Sequence, residues 1–104
     1  MTEDELNNLL SQRTENYNLE LKAASKTGFP YVKVAQYCSA IANASGGYLI
    51  LGVNDGGYIV GTGAFDKYHE LPNKLLQDLG ISILIDEIRT NSGRVLVFSI
   101  PKHF

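Results

Sequence analysis

The order of apolar and polar positions predicts an alternation of short helices and strands along the 104-residue chain. Thr2 followed by Glu5 fits a capping box, and apolar residues at helical spacing behind it predict a helix over residues 3–12. Residues 18–23 then alternate strictly between polar and apolar side chains, which predicts a half-buried strand. Its core face carries Leu19, Leu21 and Ala23, and its other face carries Asn18, Glu20 and Lys22.

The middle of the chain predicts a helix, a glycine break and a buried strand. Pro30 opens a helix in which apolar residues recur at helical spacing, and the helix ends before Gly46. The unbroken apolar run Gly47–Val53 is typical of a central strand that is covered on both faces. Residues 54–57, Asn-Asp-Gly-Gly, tolerate positive φ and join this strand to residues 58–60 in an antiparallel hairpin. At the break between the helix and this strand, at least one of Gly46 and Gly47 is expected to need a positive φ or a close backbone approach.

The last third of the chain predicts a further helix and a second hairpin. Residues 70–78 form the helix, with Pro72 in its first turn. The apolar side of this helix carries Leu71, Leu75, Leu76 and Leu79. Two β-rich runs, 81–88 and 94–100, are joined by a turn that contains glycine. The order α-β-α-β-β-α-β-β predicts an α+β fold, with helices packed on one mixed, mainly antiparallel sheet in a single domain over residues 1–104.

Composition and charge restrict the class of protein. No apolar run reaches the roughly 18 to 20 residues of a membrane span, and acids stand near the N-terminus where a secretory signal carries Lys or Arg. We therefore expect a cytoplasmic protein that does not contact a membrane. The single cysteine, Cys38, lies in an apolar stretch and is expected to be buried. The formal net charge of −2 argues against indiscriminate nucleic-acid binding, because phosphate affinity comes from Lys and Arg.

One segment is nevertheless locally basic. Residues 13–33 hold four cations, Arg13, Lys22, Lys26 and Lys33, against two acids, Glu15 and Glu20. Any nucleic-acid contact is expected there. Other classes lack their motifs, since the chain has no phosphate-binding P-loop, no set of Cys and His ligands for zinc and no nucleophile motif.

Two stretches, Glu15–Lys22 and Ala40–Gly61, carry a family resemblance. Together they resemble the Alba-type domain of the Schlafen group, a family assigned to DNA binding that in microbes often forms the front domain of transcriptional regulators and helicase-related proteins. The likeness covers Leu6–Ile100, and Leu21 stands where the family usually has Phe. Because family members generally continue further, the resemblance implies that this domain is the N-terminal part of a longer protein.

The resemblance, together with the basic segment, implies a nucleic-acid-binding domain of a transcriptional regulator, with DNA as the expected partner. The expected contacts are Arg13, Lys22, Lys26 and Lys33. A second reading is a metal-dependent endoribonuclease, since Glu15, Glu20 and Asp55 match the three carboxylates with which some Schlafens hold a divalent metal and cut structured RNA. Mg²⁺ or Mn²⁺ would then be the cofactor. A third reading is a protein-interaction or dimerisation domain, with a homodimer as its partner arrangement.

Each candidate residue also has a structural explanation. Glu15 and Glu20 have opposite strand parity, so they converge only if the chain bends between them. Asp55 is a residue that hairpin turns favour. Lys22 lies on the same strand face as Glu20, either as a phosphate contact or as a surface partner of that acid. Four tyrosines are candidate base-stacking rings, namely Tyr17, Tyr31, Tyr48 and Tyr58.

Overall fold

A computed structural model of the chain describes residues 1–12, 18–24 and 28–103. In chain order the elements are α1 (Glu3–Ser11), β1 (Asn18–Lys22), α2 (Tyr31–Ala44), β2 (Gly47–Leu51), a short 3₁₀ turn (Tyr68–Glu70), α3 (Leu71–Leu79), β3 (Leu84–Thr90) and β4 (Gly93–Ile100). The predicted α+β class is confirmed, and so is the predicted order of the elements apart from the strand expected at residues 58–60. None of the helices in the described ranges is both long and apolar enough to cross a bilayer.

The four strands form one mixed sheet in the order β1-β2-β4-β3. β1 runs parallel to β2, whereas β2 with β4 and β3 with β4 are antiparallel. Because β2 lies between β1 and β4, the predicted central strand is confirmed. β1 and β3 are the two edge strands.

The sheet is covered on both faces, which explains the unbroken apolar run of β2. Leu49 and Leu51 pack into the cluster that α2 and α3 form on one face. Ile50 and Val53 pack into the cluster that α1 forms on the other face. All four of these side chains are fully buried. Each of these side chains contributes about 1.5–3 kcal/mol to folding by leaving water. Because they alternate between the two clusters, the central strand and the residues just after it connect both cores.

The helix ends follow the sequence signals. Thr2 accepts a hydrogen bond from the Glu5 amide at 3.1 Å, and the Glu5 carboxylate accepts one from the Thr2 amide at 2.9 Å, so the capping box is confirmed. These bonds lower the pKa of Glu5. Inside α2, Cys38 is fully buried, and burial raises the pKa of its thiol to about 12. Its packing role is confirmed.

The turn between α2 and β2 depends on two glycines. Gly46 has φ of 80° and Gly47 has φ of 153°. A Cβ added at Gly47 would collide with the carbonyl of Asn18, its partner on the parallel strand β1. Both predicted requirements, positive φ and close backbone approach, are therefore present at this turn.

Three details of the predicted elements differ in the structure: one core position of β1, one apolar position of α3 and the strand expected at residues 58–60. Ala23 is exposed and Ala24 is buried instead, because β1 ends at Lys22 and Ala24 turns the chain with φ of 49°. Leu76 remains 46% exposed, because the buried side of α3 is narrower than predicted. The hairpin partner at 58–60 pairs antiparallel as expected, but as one isolated bridge to Val53 rather than as a strand.

Candidate nucleic-acid interface

The polar face of β1 lies beside α2. The ammonium of Lys22, at the end of β1, is 5.1 Å from the centre of the Tyr37 ring in α2. At the other end of β1, Asn18 donates from Nδ2 to Oγ of Ser45, the residue that follows α2, at 2.7 Å. Strand and helix therefore form one continuous surface, which we call the β1–α2 surface.

Lys22 is held in place by its surroundings. A side-chain hydrogen bond with Tyr37 raises the pKa of Lys22, and the negative charges of Glu20 and Asp55 act in the same direction against partial desolvation. Oε2 of Glu20 lies 3.8 Å from the Lys22 ammonium, and both side chains are about a third or more exposed. An ion pair of this exposure contributes little to stability. Together these contacts keep Lys22 protonated and beside the Tyr37 ring.

Lys33 lies on the same side of α2 as Tyr37. It is exposed in the first turn of α2, four residues before Tyr37 and therefore on the same side of the helix. A cation in a first turn meets the positive end of the helix dipole, so Lys33 does not help α2 to form. Lys22 therefore contacts Tyr37, and Lys33 lies one helical turn before Tyr37 on the same side of α2. Arg13 and Lys26 lie outside the described residues.

Tyr37 was missed by the sequence analysis. Its position four residues after Lys33 was the only local signal, and it is an ordinary one for a helix. Its contact with Lys22 joins two elements that are separated along the chain, and no periodicity reports such a contact.

Asp55 lies in the turn after β2, as its residue type predicts, and the amide of Gly57 donates to the carbonyl of Asn54 across this turn at 2.9 Å. The turn after β2 is held by Asn54, whose Oδ1 accepts from the amides of Gly56 and Tyr58 at 3.0 Å each. Asp55 is exposed, and its charge reaches Lys22. It therefore lies at the same end of the β1–α2 surface as Glu20.

The described part of the chain does not by itself fit a divalent metal. It contains no group of three His, Cys, Asp or Glu residues that could hold an ion. Glu20 and Asp55 both act on the ammonium of Lys22, which already supplies a positive charge between them. Mg²⁺ needs near-octahedral oxygen ligands at about 2.0–2.1 Å. The third predicted carboxylate, Glu15, lies outside the described residues.

The tyrosines proposed for stacking have different surroundings. Tyr31 donates from its hydroxyl to Oδ2 of Asp78 at 2.7 Å, which ties α2 to α3, and burial together with this bond raises the pKa of Tyr31. Tyr48 packs partly into the core on the α1 face. Tyr58 is 73% exposed, so its ring is accessible for stacking on a base. Tyr17 lies outside the described residues.

Arg94 has a structural role on the opposite half of the sheet. It donates to Oε2 of Glu87 at 2.7 Å and to the backbone carbonyls of Thr62, Ala64 and Phe65. Its side chain is only 11% exposed. This arginine fastens the loop after the first hairpin to β4 and is not available to a ligand.

Comparison with known proteins agrees with this fold. The family model described as Schlafen, AlbA_2 matches residues 15–104. The chain therefore belongs to this family, which confirms the resemblance found in its sequence. No curated protein sequence matches the chain.

Two solved structures are similar to the chain. One is the DIP2311 protein from Corynebacterium diphtheriae, with 19% identity and a TM-score of 0.68, over 95% of this chain and 24% of that protein. The other is the N-terminal domain of a protein from Nitrosomonas europaea described as related to the ATP-dependent DNA helicase RecG. It has 25% identity and a TM-score of 0.57, over 100% of this chain and 75% of that one. This chain thus spans about a quarter of the length of the first structure.

Proposed function

We propose that this domain binds nucleic acid through the β1–α2 surface, with duplex DNA as its ligand, and that it directs a larger transcriptional regulator to DNA. The observation that carries the proposal is the contact between Lys22 and the ring of Tyr37, which lies one helical turn after the exposed Lys33 on α2. Membership of the Schlafen, AlbA_2 family and the likeness to the front domain of a RecG-related protein support a role on nucleic acid.

The physical basis is local. The chain carries a net negative charge, so a phosphate backbone is repelled by most of its surface and attracted where cations converge. Lys22 is already ordered by Tyr37, so it loses less side-chain freedom on binding than a lysine that is free in solvent. Arg13 and Lys26 belong to the same basic segment and extend the proposed contact.

The experiment that tests the proposal is the salt dependence of binding to duplex DNA. Each phosphate contact adds about 0.9 to the slope of log K against log salt, so replacing Lys22, Lys26 and Lys33 together by Ala should flatten the slope by up to about three units. Arg89→Ala is the matched control, because Arg89 is 74% exposed on the opposite edge strand. An unchanged slope in the triple variant would remove the proposed surface. No binding of the wild-type domain at low salt would favour the protein-interaction reading.

A second candidate function, metal-dependent cleavage of structured RNA, is favoured by one observation. Glu20 and Asp55 come from different elements, yet both act on Lys22, so two of the three candidate carboxylates share one end of the surface. Cleavage of a structured RNA in the presence of added Mn²⁺ or Mg²⁺ would separate this candidate from the binding module.

A further inference from the structure

The outer side of α2 is exposed and carries a single charge, that of Lys33 at its edge. Its exposed residues include Val32, Gln36, Ala40 and Asn43, which we call the outer row. At 3.6 residues per turn these four positions lie within about 80° of the helix circumference. Lys33 is the only charged residue in the whole helix. A solvent-facing helix side normally carries several charges, so this composition needs an explanation.

A lysine lies on each side of the outer row, and each of these lysines contacts a tyrosine ring of α2. On the β1 side, Lys22 lies 5.1 Å from the centre of the Tyr37 ring. On the α3 side, the ammonium of Lys74 lies 4.6 Å from the centre of the Tyr31 ring. Around the helix axis, Tyr37 is about 100° from Gln36 in one direction and Tyr31 about 140° in the other. The outer row thus lies between two rims that each carry a lysine.

The acids near these rims are already engaged. Glu20 and Asp55 act on Lys22, and Asp78 accepts a hydrogen bond from Tyr31. By contrast, the first turn of α1, on the other face of the sheet, carries Glu3, Asp4 and Glu5. Of the three described helices, α2 is therefore the one whose charges suit a polyanion.

We propose that α2 is a recognition helix that lies in the major groove of duplex DNA and reads A·T base pairs with its outer row. Gln36 and Asn43 carry the side-chain amides that pair in two places with adenine, and Ala40 supplies a methyl contact for thymine. Lys22 and Lys74 lie on opposite rims, where the phosphates of the two strands border the groove. This inference rests on the proposed function and adds the class of site that the domain reads.

The choice of DNA over double-stranded RNA follows from groove shape. The B-form major groove is about 12 Å wide and admits a helix. The A-form major groove is deep and narrow, so side chains on a helix cannot read its base edges. An RNA duplex of the selected sequence should therefore show no base preference.

The test begins with selection of bound sequences from a pool of randomised DNA duplexes. Affinities are then measured for the most enriched duplex and for versions of it with single A·T pairs replaced by G·C. The proteins compared are the wild type, the double variant Gln36→Ala/Asn43→Ala and the control Asn8→Ala, which removes an exposed amide from α1. Alanine is a better helix former than Gln or Asn, so these variants should keep the fold.

We expect the wild type and Asn8→Ala to lose roughly ten-fold in affinity at a replaced A·T pair, since a bidentate amide–adenine pair discriminates by about this factor. The double variant should bind every duplex alike, with the salt slope of the wild type. Lys74→Ala should keep the preference and lower the slope by about one unit.

Three other outcomes would overturn the inference in distinguishable ways. A double variant that keeps the A·T preference would show that α2 does not read the bases. A wild type that binds all sequences equally would refute base reading while leaving the proposed function intact. A wild type that binds no duplex at low salt would refute both.

Discussion

The ammonium of Lys22 lies 5.1 Å from the centre of the Tyr37 ring, and this contact joins the end of an edge strand to the middle of a helix. Tyr37 also raises the pKa of Lys22 through a side-chain hydrogen bond. A lysine held by a tyrosine keeps its charge and loses part of its conformational freedom before any ligand arrives. The candidate site is therefore partly organised in the free protein.

Removal of the Tyr37 hydroxyl should weaken DNA binding without changing its salt dependence. We expect Tyr37→Phe to lower affinity about two- to five-fold, because it removes the hydroxyl hydrogen bond to Lys22, worth roughly 0.5–1 kcal/mol, while the ring stays. Tyr37→Leu should lower affinity further, since the ring is also lost. Fluorescence anisotropy at several salt concentrations measures both quantities. Tyr68→Phe is the control, because the Tyr68 ring lies beside Arg94 and away from the β1–α2 surface. Wild-type affinity in Tyr37→Phe would contradict the role of the hydroxyl.

The α2–β2 turn should tolerate no side chain at Gly47. Its φ of 153° favours glycine, and an added Cβ would lie 2.8 Å from Cβ of Asn18 and closer still to the Asn18 carbonyl oxygen. Backbone strain and overpacking together should make Gly47→Val less stable by about 2–4 kcal/mol. Urea unfolding monitored by circular dichroism measures this loss.

Gly28→Ala provides the matched control for that experiment. Nothing lies within 4 Å of a Cβ added at Gly28, so this variant should be nearly as stable as the wild type. Equal stability of Gly47→Val and Gly28→Ala would show that the close approach between β1 and β2 is placed wrongly.

Glu87 should make the fold sensitive to acid. The hydrogen bond from Arg94 is the main cause that holds the pKa of Glu87 below its usual value of 4.5, with Arg89 adding to the effect. A lowered pKa in the folded state means that the unfolded chain binds more protons between the two values, so stability falls as pH drops through this window below 4.5.

The isosteric variant Glu87→Gln isolates this effect. The free energy of unfolding of the wild type should fall more steeply with acid than that of the variant, by up to about 1.4 kcal/mol per pH unit for one proton. Urea titrations between neutral pH and the acid limit of folding give both curves. Parallel curves would mean that the Arg94 contact does not perturb Glu87.

Much of the fold could be predicted because the periodicity of apolar residues reflects which faces of each strand the helices cover. The alternation in β1 and the unbroken run of β2 follow from an edge strand and a central strand, respectively. The errors occur where the chain leaves regular structure. At Ala24 the backbone adopts a φ of 49°, so the buried position moves one residue beyond the predicted Ala23. Periodicity cannot report such a turn.

The candidate site was less predictable because it depends on contacts between elements. Lys22 and Lys33 could be found as charges in a basic segment, but Tyr37 and Lys74 are ordinary helix residues until the fold sets them beside a lysine and a tyrosine. Asp55 is a turn residue as predicted, but that its charge also raises the pKa of Lys22 could not be seen in the sequence. Such assignments need the tertiary arrangement.

The last prediction separates the binding module from a nuclease. We expect structured RNA to stay intact with the domain and added Mn²⁺ or Mg²⁺, because the ammonium of Lys22 lies near Glu20 and Asp55 and would repel a metal cation there. Gel electrophoresis of a labelled hairpin RNA measures cleavage. Metal-dependent cutting that Asp55→Asn abolishes and Asp66→Asn, a change at an exposed loop acid, leaves intact would overturn this expectation. Cutting that survives Asp55→Asn would instead indicate a contaminating nuclease, since a neutral amide holds the metal poorly.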